Sequence, residues 1–251
     1  MVVRRSPAME QRLVFVGGLH RSGTSLLTRC LAQHPLVSGF EGTGVPEDEG
    51  QHLQTVYRPA KDFGGPGRFA FDPDARLTEH SPLVTDESRR RLKEEWGRWW
   101  DTTKPVLVEK SPPNLVRGRF LQALFPGARL VMVQRHPLAV AYATQKWSRT
   151  SLRSLLRHWL AAHEAFEEDR PRLAHIQLVR FEDFVSDPAA TLEAVYGFLG
   201  LEPVPPGIEI RPDANDAYLA RWREEPRMRR ALLTRAFERR VQRFGYSLRF
   251  D

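Results

Sequence analysis

The feature that most constrains this chain is a short apolar run that stops at two glycines and gives way at once to a helical pattern. Leu13, Val14, Phe15 and Val16 form the run, Gly17 and Gly18 end it, and between Thr24 and Gln33 the residues Leu26, Leu27, Cys30 and Leu31 recur at helical spacing. A β-branched and aromatic run without alternation is what a strand buried on both faces requires. His34 and Pro35 mark the helix exit, because a residue before proline is pushed out of the α region.

Between strand and helix, Gly18 and Gly23 followed by Thr24 and Ser25 keep the glycine spacing of the phosphate-binding loop G-x-x-x-x-G-K-[ST], in the strand-to-helix setting that motif needs. Such a loop turns successive N–H groups toward an anion, and the helix N-terminus adds about half a positive charge. Two parts of a nucleoside triphosphatase are missing. Thr24 stands where the phosphate-reaching lysine belongs, and the run Leu130 to Val133 ends in Gln134 and Arg135 instead of a magnesium-holding aspartate. Arg21 supplies the positive charge within the loop, so a ligand presenting one phosphate-linked group without a metal fits better than ATP.

The same rhythm continues along the chain. Val106 to Val108, Leu130 to Val133 and Ile176 to Val179 read as further strands. Helices are expected over Asp86 to Asp101, Asn114 to Phe125, Leu138 to Trp147, Ser151 to Asp169, Pro188 to Leu199 and the basic tail from Arg227 to Phe244. The helix at Pro188 is well punctuated, with Asp187 or Ser186 to cap it and Gly200 to end it. Residues 39–82 are rich in Gly, Pro and Asp and read as a long irregular excursion. Strands alternating with helices imply an α/β fold, with a mostly parallel central sheet flanked by helices, in which ligands sit beyond the carboxyl ends of the strands. Residues 17–25, 109–112 and 135–137 each begin where a strand stops, so they are expected to converge.

The 251 residues suit a single domain over 1–251, with its excursion at about 39–100 facing an acceptor. One cysteine, Cys30, excludes a disulfide framework and a Cys-based zinc cluster, and reads as a small buried thiol compatible with a reducing compartment. No apolar run reaches a membrane-spanning length and the start lacks a signal-peptide core, so a cytoplasmic protein is expected. A formal charge of +7 biases the surface toward anionic partners.

GGLHRSGTSLL resembles the 5'-phosphosulfate loop of sulfotransferases that use 3'-phosphoadenosine 5'-phosphosulfate (PAPS). RLVMVQRHPLAVAYA is similar to their 3'-phosphate segment, and LVRFEDFVSDPAATLEAVYGFLGL to their adenine-side strand and following helix. The three occur in the family's order, from Leu13 to about Tyr246. The resemblance implies a P-loop-like sulfotransferase fold that needs no metal and leaves 3'-phosphoadenosine 5'-phosphate (PAP) as product. It also implies that Arg21, Ser22, Gly23, Thr24 and Ser25 hold the 5'-phosphosulfate, that Arg135 pairs with the 3'-phosphate, and that Phe181, in place of the usual strand tyrosine, faces adenine. The family's second 3'-phosphate contact, a serine, is matched by Ala143 with Thr144 beside it. Ala220, Arg221 and Trp222 resemble a cofactor-contacting segment of tyrosylprotein sulfotransferases, which makes Arg221 a second clamp.

Sulfuryl transfer requires a cation for charge developing on the bridging oxygen and a base for the acceptor's proton. By resemblance Lys110, at the end of a strand, is the cation. Glycosaminoglycan sulfotransferases place a base glutamate shortly before a histidine, matching Glu49 and His52; tyrosylprotein sulfotransferases place one upstream of a proline, closer to Glu41 ahead of Pro46. Glu49 is preferred because Glu47, Asp48 and Glu49 would raise one another's pKa by repulsion. The acceptor, a small molecule, carbohydrate or peptide hydroxyl or amine, is left open. A magnesium-dependent nucleotide kinase is the enzymatic alternative. A basic nucleic-acid-binding module is the other, disfavoured because Arg89 to Arg91 and Arg227 to Arg240 are interleaved with glutamates, which reads as solvated helix faces.

Overall fold

The computed structural model describes residues 11–250. Five parallel strands, β1 (Arg12–Gly18), β2 (Val37–Ser38), β3 (Val106–Lys110), β4 (Arg129–Gln134) and β5 (Ile176–Arg180), form one sheet in the order β2-β3-β1-β4-β5. The apolar runs divide by alternation. Val14, Val16, Val106, Val108, Val131 and Val133 face one layer, and Phe15, Leu107, Leu130 and Met132 face the other. Both faces are covered, which is why the strands read as unbroken apolar segments.

The first layer holds α1 (Thr24–Ala32), α6 (Phe181–Ser186) and α7 (Pro188–Leu199). Cys30 lies in it, its thiol pushed up to about 11 by burial. The second layer holds α2 (Asp86–Gly97), α3 (Gly118–Leu124), α4 (Pro137–Gln145), α5 (Leu152–Asp169), α8 (Asp216–Glu224) and α9 (Arg227–Gln242). Its centre is aromatic, with Phe15, Trp96 and Phe125 in contact and Trp159 packed on Tyr246. The side chain of Asp187 caps α7 through Ala190 N–H, and Gly200 ends it in the left-handed conformation.

Several boundaries differ from expectation. The segment expected to be helical from Asn114 opens instead with a tight turn over Pro112–Val116, and α3 starts only at Gly118. Strand β2 and helices α6 and α8 are additions. Phe181, expected within a strand, is the first residue of α6, because β5 ends one residue earlier. Residues 39–82 contain five single-turn 3-10 segments between Pro46 and Ala75 and no longer element, and α2 follows them.

Register levels the strand ends that matter. Val16 of β1 lies beside Lys110 of β3, and Gly18 of β1 beside Val133 of β4. The residues that follow therefore leave the sheet from one edge.

Candidate active site

The loop after β1 is shaped by two left-handed residues, Arg21 (φ 70°) and Gly23 (φ 102°). Gly23 caps α1 with backbone alone and offers it no side-chain oxygen. The first-turn amides of α1 thus have no intrahelical acceptor and present the positive end of the helix dipole. A Cβ on Gly23 would collide with the Phe181 ring, so glycine is demanded twice, by φ and by space.

Arg21 and Arg135 meet at this loop. Arg135, the first residue after β4, donates from Nε to Asn215 Oδ1 (2.7 Å), from Nη1 to the Arg21 carbonyl (2.9 Å) and from Nη2 to the Ala214 carbonyl (2.8 Å). Its guanidinium lies 4.1 Å over the Phe181 ring, and burial brings it down to about 10, still charged at neutral pH. The Arg21 guanidinium is exposed, 4.5 Å over the Trp147 ring. Ser25 Oγ donates to Glu47 Oε2 (3.0 Å), which brings the excursion onto the start of α1. Thr24 is buried, and Ser22 is fully buried with its N–H on the Leu19 carbonyl.

The end of β3 forms the second half. Lys110 is 3% exposed; its Nζ donates to the Glu47 carbonyl (2.7 Å) and to Glu49 Oε1 (3.4 Å). The other Glu49 oxygen accepts from Gln51 Nε2 and lies 3.8 Å from His52 Nε2. Burial raises the Glu49 pKa, with Lys110 and Gln51 pulling the other way and Glu47 adding only the last contribution. Mutual repulsion, the reason expected from the sequence, is therefore replaced by desolvation. Asp48 even lies below its usual value, because two hydrogen bonds from Thr43, assisted by Gly42, outweigh its burial. Glu41 is exposed and outside this cluster.

The sequence defining the sulfotransferase family matches residues 14–206. The chain belongs to the sulfotransferase family. The solved structures it is similar to agree in fold. The sulfotransferase domain of the Synechococcus PCC 7002 olefin synthase is 18% identical, with TM-score 0.58, 98% of this chain and 99% of that one being covered. The sulfotransferase domain of the curacin biosynthetic pathway is 16% identical, with TM-score 0.56 and coverage of 97% and 100%. A sulfotransferase from Alicyclobacillus acidocaldarius is 17% identical, with TM-score 0.51 and coverage of 93% and 95%.

Within this sulfotransferase several of the residues singled out in the sequence have partners inside the protein. Arg221 donates to Gln145 Oε1 (3.1 Å) and lies 4.5 Å over Tyr142, tying α8 to α4. On α8 the side chain nearer Arg135 is Tyr218, its ring 5.6 Å from that guanidinium and 5.2 Å from Lys146 Nζ. Thr144 is buried, with its methyl toward Gly67, and Ala143 is buried beside it. Phe181 is 3% exposed, engaged by Gly23 and Arg135.

Other polar groups of the site, some within the segments expected to converge, have no individual role assigned from the sequence. Glu109 is fully buried and pushed up to about 7 by desolvation, although Ser111 Oγ and Asn114 Nδ2 donate to it. Ser111 Oγ also accepts the Gln51 N–H (2.8 Å), and Gly50 lies so close to the Glu109 carboxyl that no side chain would fit there. His20, in the loop itself, is lowered to about 3 by burial and by Lys110, and is neutral. A carboxylate inside an otherwise apolar strand was the available signal for Glu109. Asn215, which bridges Arg135 to Glu182 Oε1 (2.7 Å), had none.

Among the described residues no group of three or more His, Cys, Asp or Glu side chains is placed to hold a metal. Nor is any helix long and apolar enough to cross a membrane.

Proposed function

We propose that this sulfotransferase uses PAPS as donor and passes the sulfuryl group to a hydroxyl or amine of an acceptor. The observation that carries this reading is the meeting of Arg21 and Arg135 at a helix N-terminus whose neighbouring strand ends in a buried Lys110–Glu49 pair. PAPS supplies the sulfuryl group; the chain's residues supply grip, charge and a proton acceptor. The first-turn amides of α1, with Arg21, Thr24 and Ser25, bind the 5'-phosphosulfate end, and Ser22 shapes the turn. Arg135 grips the 3'-phosphate, and Tyr218 and Phe181 border the adenosine side. Lys110 meets the charge left on the bridging oxygen as the sulfur–oxygen bond breaks. Glu49 accepts the acceptor's proton as the new bond to sulfur forms, and its raised pKa suits it to hold that proton. His52 stays close to Glu49 and below its own usual pKa, chiefly through burial. The whole chain acts as one domain, with the excursion on the acceptor side.

The test is a thermal-shift titration with PAP against ATP with magnesium. PAP should raise the melting temperature saturably, and Arg21→Ala and Arg135→Ala should each reduce that response. A response to magnesium-ATP alone would move the assignment to a nucleotide kinase.

A further inference from the structure

The two basic stretches of the sequence behave differently once folded. On α2 every arginine of the run is neutralised by its own helix, with Arg89 on Asp86, Arg90 on Glu87 and Glu94, and Arg91 on Glu95. On α9 only part of the charge is met. Glu225, which precedes the helix, takes Arg229 and the Tyr142 hydroxyl, and Glu164 of α5 takes Arg240. Glu238 is buried and accepts from Ser247 Oγ, Leu248 N–H and Gln242 Nε2, pinning the C-terminal segment to the helix. Arg227, Arg230, Arg235, Arg239 and Arg249 then line a groove of about 800 Å³ with Glu238 as its one acidic residue. None of the five is paired with a carboxylate among the described residues, and Nε of Arg230 is buried without a partner.

We propose that this groove docks an acidic amphipathic helix of a protein partner. From Arg227 to Arg239 the guanidinium groups are strung along about 18 Å of helix, which matches several turns of a partner better than a single anion. The neighbouring side chains separate a peptide from a polyphosphate. Met228 and Leu232 are 72% and 57% exposed, and Arg235 and Arg239 stand seven and eleven residues after Met228, on the same rim of α9. Nucleic acid has no use for such an apolar pair beside its phosphates, whereas a helix with leucines next to its glutamates does. Trp222 of α8 lines the groove while Arg221 turns to α4, and Arg21, Lys110 and Arg135 do not line it, so a partner held here leaves those residues uncovered by the groove.

The test is fluorescence anisotropy on the full chain with three labelled probes at fixed ionic strength. They are an 18-residue Glu/Ala helix carrying a leucine stripe, the same peptide with serine for leucine, and a single-stranded DNA of equal charge. The leucine peptide should bind about tenfold more tightly than either other probe. Arg235→Glu with Arg239→Glu should weaken it by about tenfold or more, in line with loss of several interfacial ion pairs. Met228→Ser with Leu232→Ser should erase the preference between the peptides while the PAP response stays intact. Equal binding of the two peptides, tighter binding of the DNA, or indifference to the charge reversal would overturn the proposal. Should the reversal unfold the protein, Arg235→Gln with Arg239→Gln reads the same contact.

Discussion

Replacing Arg135 by alanine should remove the protein's ability to tell PAP from adenosine 5'-phosphate, which lacks the 3'-phosphate. A guanidinium has five N–H donors, and three are committed, to Asn215, the Arg21 carbonyl and the Ala214 carbonyl. One N–H remains on each terminal nitrogen, the pair that can fork onto one phosphate. Hydrogen bonds to charged groups contribute about 1.5 to 3 kcal/mol each, so two of them, less the cost of desolvating the phosphate, amount to about 3 kcal/mol, or about a hundredfold. Calorimetric titration should give that ratio between the two nucleotides for the natural chain and a ratio near one for Arg135→Ala. Arg135→Lys should fall between, since a lysine keeps the charge and loses the fork. Because the same side chain anchors residues 214 and 215, both affinities should also drop together. The ratio, and not the absolute affinity, is the quantity at issue. An Arg135→Ala protein that still prefers PAP by the original ratio would refute the assignment.

Glu49→Gln should stop PAPS turnover, followed as PAP released with water or a screened alcohol as acceptor, while leaving the PAP-induced thermal shift in place; retained turnover would remove Glu49 from the mechanism. Gly23→Ala should abolish the PAP response and lower the melting temperature, because the new methyl meets the Phe181 ring at a φ that only glycine adopts freely; an unchanged melting temperature would contradict that crowding. Stability should fall on acidification. His20, His158 and His163 are held neutral down to about 3, 3 and 4 by burial, so the unfolded chain binds more protons than the folded one below about 6.5. Between pH 7 and 5 this costs roughly 2 kcal/mol for each imidazole. Glu109 opposes it, because its folded-state pKa of about 7 lets the native state take up the proton first, returning about 2 kcal/mol over the same range. Denaturant titrations at the two pH values should therefore differ by about 4 kcal/mol, and a protein equally stable at both would contradict the sum.

The parts of this fold legible in the sequence are those decided locally. Strands β1, β3, β4 and β5 announced themselves by unbroken apolar runs, and α7 by its cap, its proline and its terminal glycine. The rest depends on partners far along the chain. Two residues of β2 carry no periodicity, and α6 follows β5 without a breaker, so its first turn looks like more strand. The resemblance points to Arg221 on α8, while Asn215, which caps that helix, and Tyr218 on it are the residues beside Arg135, and no local pattern distinguishes them. The repulsion that singles out Glu49 in the sequence is the smallest contribution to its raised pKa in the fold, where burial comes first. The sequence shows three acids in a row, and only the fold shows that Asp48 is satisfied by Thr43 while Glu49 is buried against Lys110.

That difference between neighbouring carboxylates traces to backbone geometry. Glu47 and Asp48 both have positive φ, at 54° and 49°, an uncommon pair for residues with side chains. The turn they make sends the Glu47 carbonyl to Lys110, the Glu47 carboxylate to Ser25 at the start of α1, and the Asp48 carboxylate back to Thr43. Glu49 is left to enter the interior, where Gly50 rests on the Glu109 carboxyl and Gln51 is fixed to Ser111. A strained turn persists only where its surroundings over-determine it, and here both ends are anchored to strand β3 and helix α1. The Glu47 carboxylate at Ser25 stands where the α1 dipole favours negative charge, the same preference the loop would offer a phosphosulfate. One segment of backbone therefore carries the carboxylate held at Ser25, the carbonyl held at Lys110 and the neighbouring Glu49, so the start of α1 and the placing of Glu49 are tied together through the Glu47 turn.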